Sequence, residues 1–212
     1  MGKRGPKTKY IVRQEPQDLR MYLALAKNGV ATLGQLQKYC KENPARVQKN
    51  VNSGLVVVNR LPVNGSVTDV AEFTKLGQDL ARSLFNIQYF PVHNSIHIDH
   101  DIKETELYFR LSEEAQRQII PENEILATHT GIKPKTCPDA MTYVTGAEFW
   151  RLREEYVDME LLLPESSLDD IGDKDMVLIA VEAVGGKDYT KDYIEAKHTT
   201  ARLLGCKGIM IK

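Results

Sequence analysis

The sequence has few cysteines and no long apolar stretch. Its three cysteines, Cys40, Cys137 and Cys206, are an odd number without a closely spaced pair, which argues against a disulfide framework and against a zinc ribbon. No apolar run approaches the ~20 residues that cross a bilayer, and no apolar segment follows the first charged residues, as a secretory signal would require. We therefore expect a cytoplasmic protein with reduced thiols and no membrane association.

Charge is distributed unevenly along a chain whose formal net charge is only −1. Residues 1–60 contain 12 Lys and Arg against 3 Asp and Glu, whereas the remaining residues contain 16 against 26. A basic segment on an acidic remainder indicates a polyanion-binding module joined to a second domain, and a chain of 212 residues can hold two domains. An ordinary solvated basic face is the alternative.

The first residues are basic and rich in glycine, with too few apolar side chains to form a core. We interpret residues 1–13 as a flexible basic arm. Such arms reach into the DNA minor groove in some DNA-binding domains, and Lys3, Arg4 and Lys7 are the residues expected to do so here.

Three short helices and a hairpin are predicted next. Periodic apolar residues between positions 17 and 54 predict the helices. The first ends at Asn28-Gly29, Thr32 caps the second, and the third begins at Asn43. Two β-branched runs, residues 55–60 and 67–73, predict strands that are joined by a turn. Three helices followed by a hairpin is the layout of a winged helix-turn-helix domain, which we place at residues 14–85.

Short motifs in this region resemble bacterial winged-helix proteins. Leu33-Gly34-Gln35-Leu36 is similar to their second helix, residues 45–51 to the recognition helix, and Gly54-Leu55-Val56 to the start of the wing. The resemblance implies that the third helix enters the major groove and that the wing lies near phosphates. A winged helix used as a protein interface is the alternative. The residues expected to contact double-stranded DNA are Arg46, Gln48, Lys49, Asn50 and Arg60.

A linker and a histidine-rich stretch follow. Residues 86–96 lose the helical periodicity and contain Pro91, so we interpret them as a linker. Three histidines and two aspartates lie in residues 93–101, but their spacing matches no zinc signature, and a polar connector is the preferred interpretation. Residues 102–119 predict one helix, in which Glu106 lies beside the apolar face.

The remaining pattern predicts a second, α/β domain over residues 97–212. A strand is predicted at residues 124–128, a helix at about 188–204 and a terminal strand at 208–211. The acidic segment at about 146–175 is interpreted as an insertion into this domain.

Two apolar runs of strand length each carry one carboxylate. Asp139 lies near the start of residues 138–144, and Glu182 lies within residues 177–184. Because a charge is costly to bury, a carboxylate in such a run indicates a site, although Asp139 after a proline would also suit a turn. An acidic pair at strand ends is one way to hold a divalent cation beside a phosphate.

The order of these elements resembles the PD-(D/E)xK nuclease-like fold. Pro138-Asp139 and Ala180-Val181-Glu182 are similar to its acidic motifs. With the winged helix in front, the chain resembles the replication-relaxation proteins of bacterial plasmids and other mobile elements. The resemblance implies a mixed α/β protein whose second domain has the order αβββαβ.

The resemblance also implies a catalytic set. Asp139 and Glu182 would bind Mg²⁺, Glu106 would complete the acidic set, and a lysine would stabilise developing charge. Val184 stands where that lysine belongs in the motif. Lys187, Lys191 and Lys197 are candidates to replace it. Of these, Lys197 is included in the expected catalytic set.

The expected function is DNA binding by a protein of a mobile element that carries a nuclease-like domain and acts in DNA replication or processing. Whether that domain performs metal-dependent DNA cleavage is left open by the residues, because the motif lysine is absent. One alternative is a nuclease-derived domain that serves only in binding or assembly. Another is a transcription or replication regulator whose C-terminal domain forms a homodimer.

Overall fold

The computed structural model describes residues 9–91, 97–155, 159–184 and 190–211. The protein is mixed α/β and divides into two compact units between Gln88 and Tyr89, within the segment predicted as a linker. None of the helices in these described ranges combines the length and the apolar character needed to cross a lipid bilayer.

The first unit combines helices with a three-stranded antiparallel sheet. Its elements are α1 (Pro16–Asn28), β1 (Val30–Thr32), α2 (Leu33–Gln35) with a π-helical continuation (Leu36–Cys40), α3 (Pro44–Asn52), β2 (Val56–Val63), β3 (Ser66–Phe73) and α4 (Lys75–Phe85). The strands pair in the order β1-β3-β2, and β3 is antiparallel to both neighbours. Strand β1 is absent from the sequence-based prediction and adds an edge to the predicted hairpin.

Local side-chain chemistry sets the boundaries of these elements. The side chains of Thr32, Asn43 and Thr74 each accept a hydrogen bond from the backbone N–H three residues later, at 3.0, 2.9 and 3.1 Å. Each cap satisfies an N–H that the first helical turn leaves without a partner. Asn64 and Gly65, which both have positive φ, form the two-residue turn between β2 and β3.

The second unit is built on a mixed five-stranded sheet. Its elements are α5 (Ile98–Tyr108), α6 (Glu113–Gln118), β4 (Ile120–Pro121), α7 (Glu122–Thr128), β5 (Ala140–Thr145), α8 (Gly146–Glu155), β6 (Met159–Leu161), β7 (Met176–Glu182), α9 (Lys191–Leu203) and β8 (Gly208–Ile211). The strand order is β4-β5-β7-β8-β6, in which β7 and β8 are parallel and the other neighbours antiparallel. Helix α9 lies in the crossover that joins the two parallel strands.

The register of β5 against β7 brings the two predicted carboxylates to the same end of the sheet. Ala140 pairs with Val181 in antiparallel fashion. Asp139, which precedes Ala140, therefore comes opposite Glu182, the last residue of β7. Positioning of this pair depends on strand pairing between segments far apart in the sequence.

Two secondary-structure predictions for this unit are wrong. Residues 102–119 form parts of two helices, α5 and α6, because the Ser112 hydroxyl accepts a hydrogen bond from Ala115 N at 3.2 Å and caps a new helix. Residues 124–128 belong to helix α7, and the strand, β4, lies immediately before it. Short apolar runs do not by themselves distinguish a strand from a buried helix. The segment at 146–175 supplies α8 and β6, the latter an edge strand of the sheet.

Candidate functional site

Asp139 and Glu182 form a buried acidic pair. The two residues are 8% and 3% exposed. Asp139 N donates to Glu182 Oε2 at 3.3 Å, and Ala183 N donates to Asp139 Oδ2 at 2.8 Å. Each carboxylate is thus held by the backbone of the strand segment that carries the other.

Lys197 of α9 contacts both carboxylates of this pair. Its Nζ lies 3.1 Å from Asp139 Oδ1 and 2.6 Å from Glu182 Oε1, and the residue is 3% exposed. The ring of Tyr193, one helical turn earlier, lies with its centroid 5.3 Å from the same Nζ. The ammonium thus reaches the pair from α9, while the carboxylates belong to the β5 and β7 segments.

Helix α5 adds a histidine that the sequence-based set lacks. His100 Nε2 lies 3.1 Å from Asp139 Oδ2, and His100 Nδ1 lies 3.3 Å from Asp101 Oδ1. His100 belongs to the histidine-rich stretch that was interpreted as a polar connector. This part of the stretch instead begins α5 and contacts the acidic pair.

Glu104 is an α5 carboxylate within the electrostatic range of the acidic pair. It interacts electrostatically with Asp139 and Glu182 and is one helical turn from His100. Glu106, predicted to complete the acidic set, lies two residues further and therefore about 160° away around the helix axis. Had the helix been predicted to begin at its observed start, the four-residue spacing of His100 and Glu104 would have placed both on one face.

The electrostatics of this cluster reflect crowded negative charge. Burial, and then the charge of Asp139, raises the pKa of Glu182 to about 8, although Lys197 opposes this shift. Burial and Asp139 likewise raise the pKa of Glu104 well above its ordinary value. Burial also raises the pKa of Asp139, but the His100 hydrogen bond and the Lys197 charge outweigh it and lower this pKa overall. Asp139 therefore ionises more readily than Glu182 or Glu104.

The two cations of the cluster are held in their charged forms. Burial lowers the pKa of His100, but hydrogen bonds to Asp101 and Asp139 outweigh burial and raise it to about 10. Burial also lowers the pKa of Lys197, and the charges of Asp139 and Glu182 raise it by more. Both cations therefore remain protonated at neutral pH.

The donor set of the cluster fits a hard cation in part. Carboxylate oxygens are the ligands that Mg²⁺ prefers, and burial with the charge of Asp139 raises the pKa of Glu122 as well as that of Glu104 and Glu182. A divalent cation would relieve this excess of negative charge. In the described ranges, however, no three His, Cys, Asp or Glu side chains are arranged as a metal-binding group. The ammonium of Lys197 lies within 3.1 Å of both predicted ligands.

In the first unit, two of the residues predicted to contact DNA form hydrogen bonds within the unit. Arg46 forms a two-pronged ion pair with buried Asp18 of α1, in which Nε donates to Oδ1 at 3.0 Å and Nη2 contacts Oδ2. Asn50 is fully buried, donates to Asp18 Oδ1 at 3.1 Å and accepts a hydrogen bond from the Tyr22 hydroxyl. Both side chains therefore fix α3 to α1.

The other predicted DNA contacts that are described lie at the surface. Gln48 is exposed and Lys49 is half-buried on the side of α3 away from Val47, which is buried. Arg60 of β2 is exposed and lies 3.3 Å from Asp69 of β3. The three arm residues lie outside the described residues: Lys3, Arg4 and Lys7.

The chain matches no protein-family model, no curated protein and no solved structure.

Proposed function

We propose that the chain binds DNA through its first unit and hydrolyses a phosphodiester bond at the acidic cluster of its second unit. The observation that carries this proposal is the convergence of Asp139, Glu182 and Lys197, from three separate segments, at the end of β7. Charges are costly to bury, and replacing such a cluster by apolar residues would often be neutral for stability. A functional role explains the cluster better than stability does.

Each residue of the acidic cluster has its own role in the proposed reaction. Asp139, Glu182 and Glu104 would hold Mg²⁺, which when bound would polarise the scissile phosphate and lower the pKa of the attacking water. His100 orients Asp139 through its hydrogen bond and helps to keep that carboxylate ionised. Lys197 holds Asp139 and Glu182 together against their mutual repulsion and supplies positive charge beside the reacting group.

We assign the first unit to the winged helix-turn-helix class and the second to the PD-(D/E)xK-like class. Helices α1 to α3 before the β2–β3 hairpin support the first assignment, and α5, β4, β5, β7, α9 and β8 follow the order αβββαβ. The same combination supports kinship with replication-relaxation proteins of mobile elements and an action in DNA replication or processing. The cysteines are buried free thiols, which suits a reducing cytoplasm: Cys40, Cys137 and Cys206.

Cleavage of supercoiled plasmid in Mg²⁺ or Mn²⁺ tests the catalytic proposal. The wild type is expected to nick or linearise the plasmid, and Asp139→Asn and Glu182→Gln are each expected to reduce the rate by at least about 10²-fold, because each removes a ligand charge. Glu104→Gln is expected to reduce the rate more than Glu106→Gln. The exposed Glu114→Gln on α6 is the matched control. Equal cleavage by the wild type and by the Asp139 and Glu182 variants would point to a contaminating nuclease and would sink the proposal.

A non-catalytic DNA-binding regulator is the second candidate. The contacts of Lys197 with both predicted metal ligands favour it, because an ammonium in this place satisfies the carboxylates without a metal ion. Absence of cleavage by the wild type in either metal, together with intact DNA binding, would select this candidate.

DNA binding by the first unit is tested with Lys49→Ala. Because Lys49 lies on the outward side of α3, its loss is expected to weaken binding to duplex DNA and to reduce the slope of log affinity against log salt by about 0.9. Fluorescence anisotropy at several salt concentrations measures both quantities. Lys75→Ala, which removes an exposed lysine of α4 paired with Asp79, is the control. Affinity unaffected by salt and by Lys49→Ala would remove DNA from the proposal.

A further inference from the structure

A second lysine reaches the end of β7 from helix α5. Lys103 Nζ donates to Val184 O at 3.0 Å, and Val184 is the residue that stands where the nuclease motif has its lysine. His100, Lys103 and Glu104 are spaced by three and four residues, so they share one side of α5. The helix that contributes His100 and Glu104 to the cluster therefore also brings a cation to its edge.

The two lysines near Glu182 are held in different ways. Lys197 is 3% exposed and contacts two carboxylates, so its charge is offset within the protein. Lys103 is only partly buried, and its described hydrogen bond goes to a neutral carbonyl oxygen. Since an ammonium has three donors, Lys103 can donate further hydrogen bonds to an anionic ligand while it keeps its contact with Val184 O.

We propose that Lys103 binds a phosphate group of the DNA substrate at the acidic cluster. This inference rests on the proposed function of the cluster. A phosphodiester that approaches Asp139 is repelled by the carboxylate, and a cation at the edge of the cluster offsets that repulsion. Lys103 is thus the substrate-binding lysine, and Lys197 is the lysine that holds the carboxylates.

The test compares Lys103→Met, which retains an unbranched side chain without the charge, with Lys103→Arg, which retains the charge. Single-turnover cleavage in Mg²⁺ is expected to slow by about 10²-fold in Lys103→Met and to recover substantially in Lys103→Arg. Duplex binding by the full chain is measured in Ca²⁺ at several salt concentrations. The slope of log affinity against log salt is expected to decrease in magnitude by about 0.9 in Lys103→Met and to stay unchanged in Lys103→Arg.

Lys174→Met is the matched control. Lys174 is exposed and precedes β7, and this strand extends about 20 Å from its first residue to Glu182. A salt slope that is unchanged in Lys103→Met, or that falls equally in Lys174→Met, overturns the inference whatever the cleavage rates. If the wild type binds but does not cleave, the proposed catalytic function fails, and the salt slope still decides whether Lys103 contacts a phosphate. A loss of stability with an unchanged slope would show a purely structural role.

Discussion

Replacing Lys197 by methionine is expected to lower the melting temperature of the second unit by about 10 °C at pH 8 and to slow DNA cleavage at least about 10²-fold. The variant leaves Asp139 and Glu182 buried side by side without the ammonium that now contacts both. Removing one partner of a buried ion pair costs about 3–5 kcal/mol, because the remaining charge is uncompensated. Trp150, the one tryptophan of the chain, lies in α8 and reports unfolding of this unit by fluorescence.

The loss of stability in this variant should depend on pH and on metal. Burial and Asp139 already raise the pKa of Glu182 to about 8 in the wild type, and removal of Lys197 raises this pKa further. The unfolded chain ionises Glu182 above about pH 4.5, so a raised folded pKa destabilises the protein increasingly as pH rises above that value. Wild type and variant share this loss up to about pH 8, so the part of the deficit that is due to Glu182 is expected to grow as pH rises above 8.

Mn²⁺ should restore the melting temperature of Lys197→Met more than it raises that of the wild type, because the ion no longer competes with an ammonium for the carboxylates. Lys174→Met is the control. Because Lys174 is exposed, this variant should have the melting temperature of the wild type. A variant that melts like the wild type at pH 8 would show that Lys197 does not stabilise the pair. A variant that gains nothing from Mn²⁺ would argue against a metal site.

Asp18→Asn is expected to destabilise the first unit by about 3 kcal/mol, because Asp18 accepts hydrogen bonds from Arg46 of α3 and from buried Asn50. Burial raises the pKa of Asp18, but hydrogen bonds, first among them that from Arg46, outweigh burial and lower it. The carboxylate therefore contributes stability above its unfolded pKa of about 3.9, and the contribution is lost as pH falls through the lower folded pKa. The difference between wild type and variant should accordingly shrink in acid.

Urea unfolding followed by far-UV circular dichroism measures this effect, while Trp150 fluorescence follows the second unit separately. Asp79→Asn is the matched control, since Asp79 also pairs with basic residues but is exposed on α4, and no measurable change is expected from it. Because α3 is anchored through Asp18, Asp18→Asn should also weaken DNA binding in the same assay that tests Lys49. Stability equal to that of the wild type at pH 7 would contradict the anchoring role.

The sequence by itself determined the helix caps of the first unit and the two strands of the acidic pair, but not the extent of α5. Thr32, Asn43 and Thr74 are visible as caps because a cap is a contact between a side chain and a backbone N–H three residues away. The strands near Asp139 and Glu182 are predicted by their apolar runs, and the carboxylate in each run indicates a site. The spacing on α3 also indicates that Asn50 lies on the inward side, since it follows buried Val47 by three residues.

The tertiary structure decided which charged side chains meet. Asp139 and Glu182 are 43 residues apart, and Asp139 and Lys197 are 58 apart. Their contacts depend on the register of β5 against β7 and on where the crossover through α9 returns to the sheet, which no local pattern specifies. The same is true of His100 and Glu104, which reach the cluster only because α5 packs near the end of β7. Residue type and spacing thus indicated the acidic pair, and long-range packing supplied its cations.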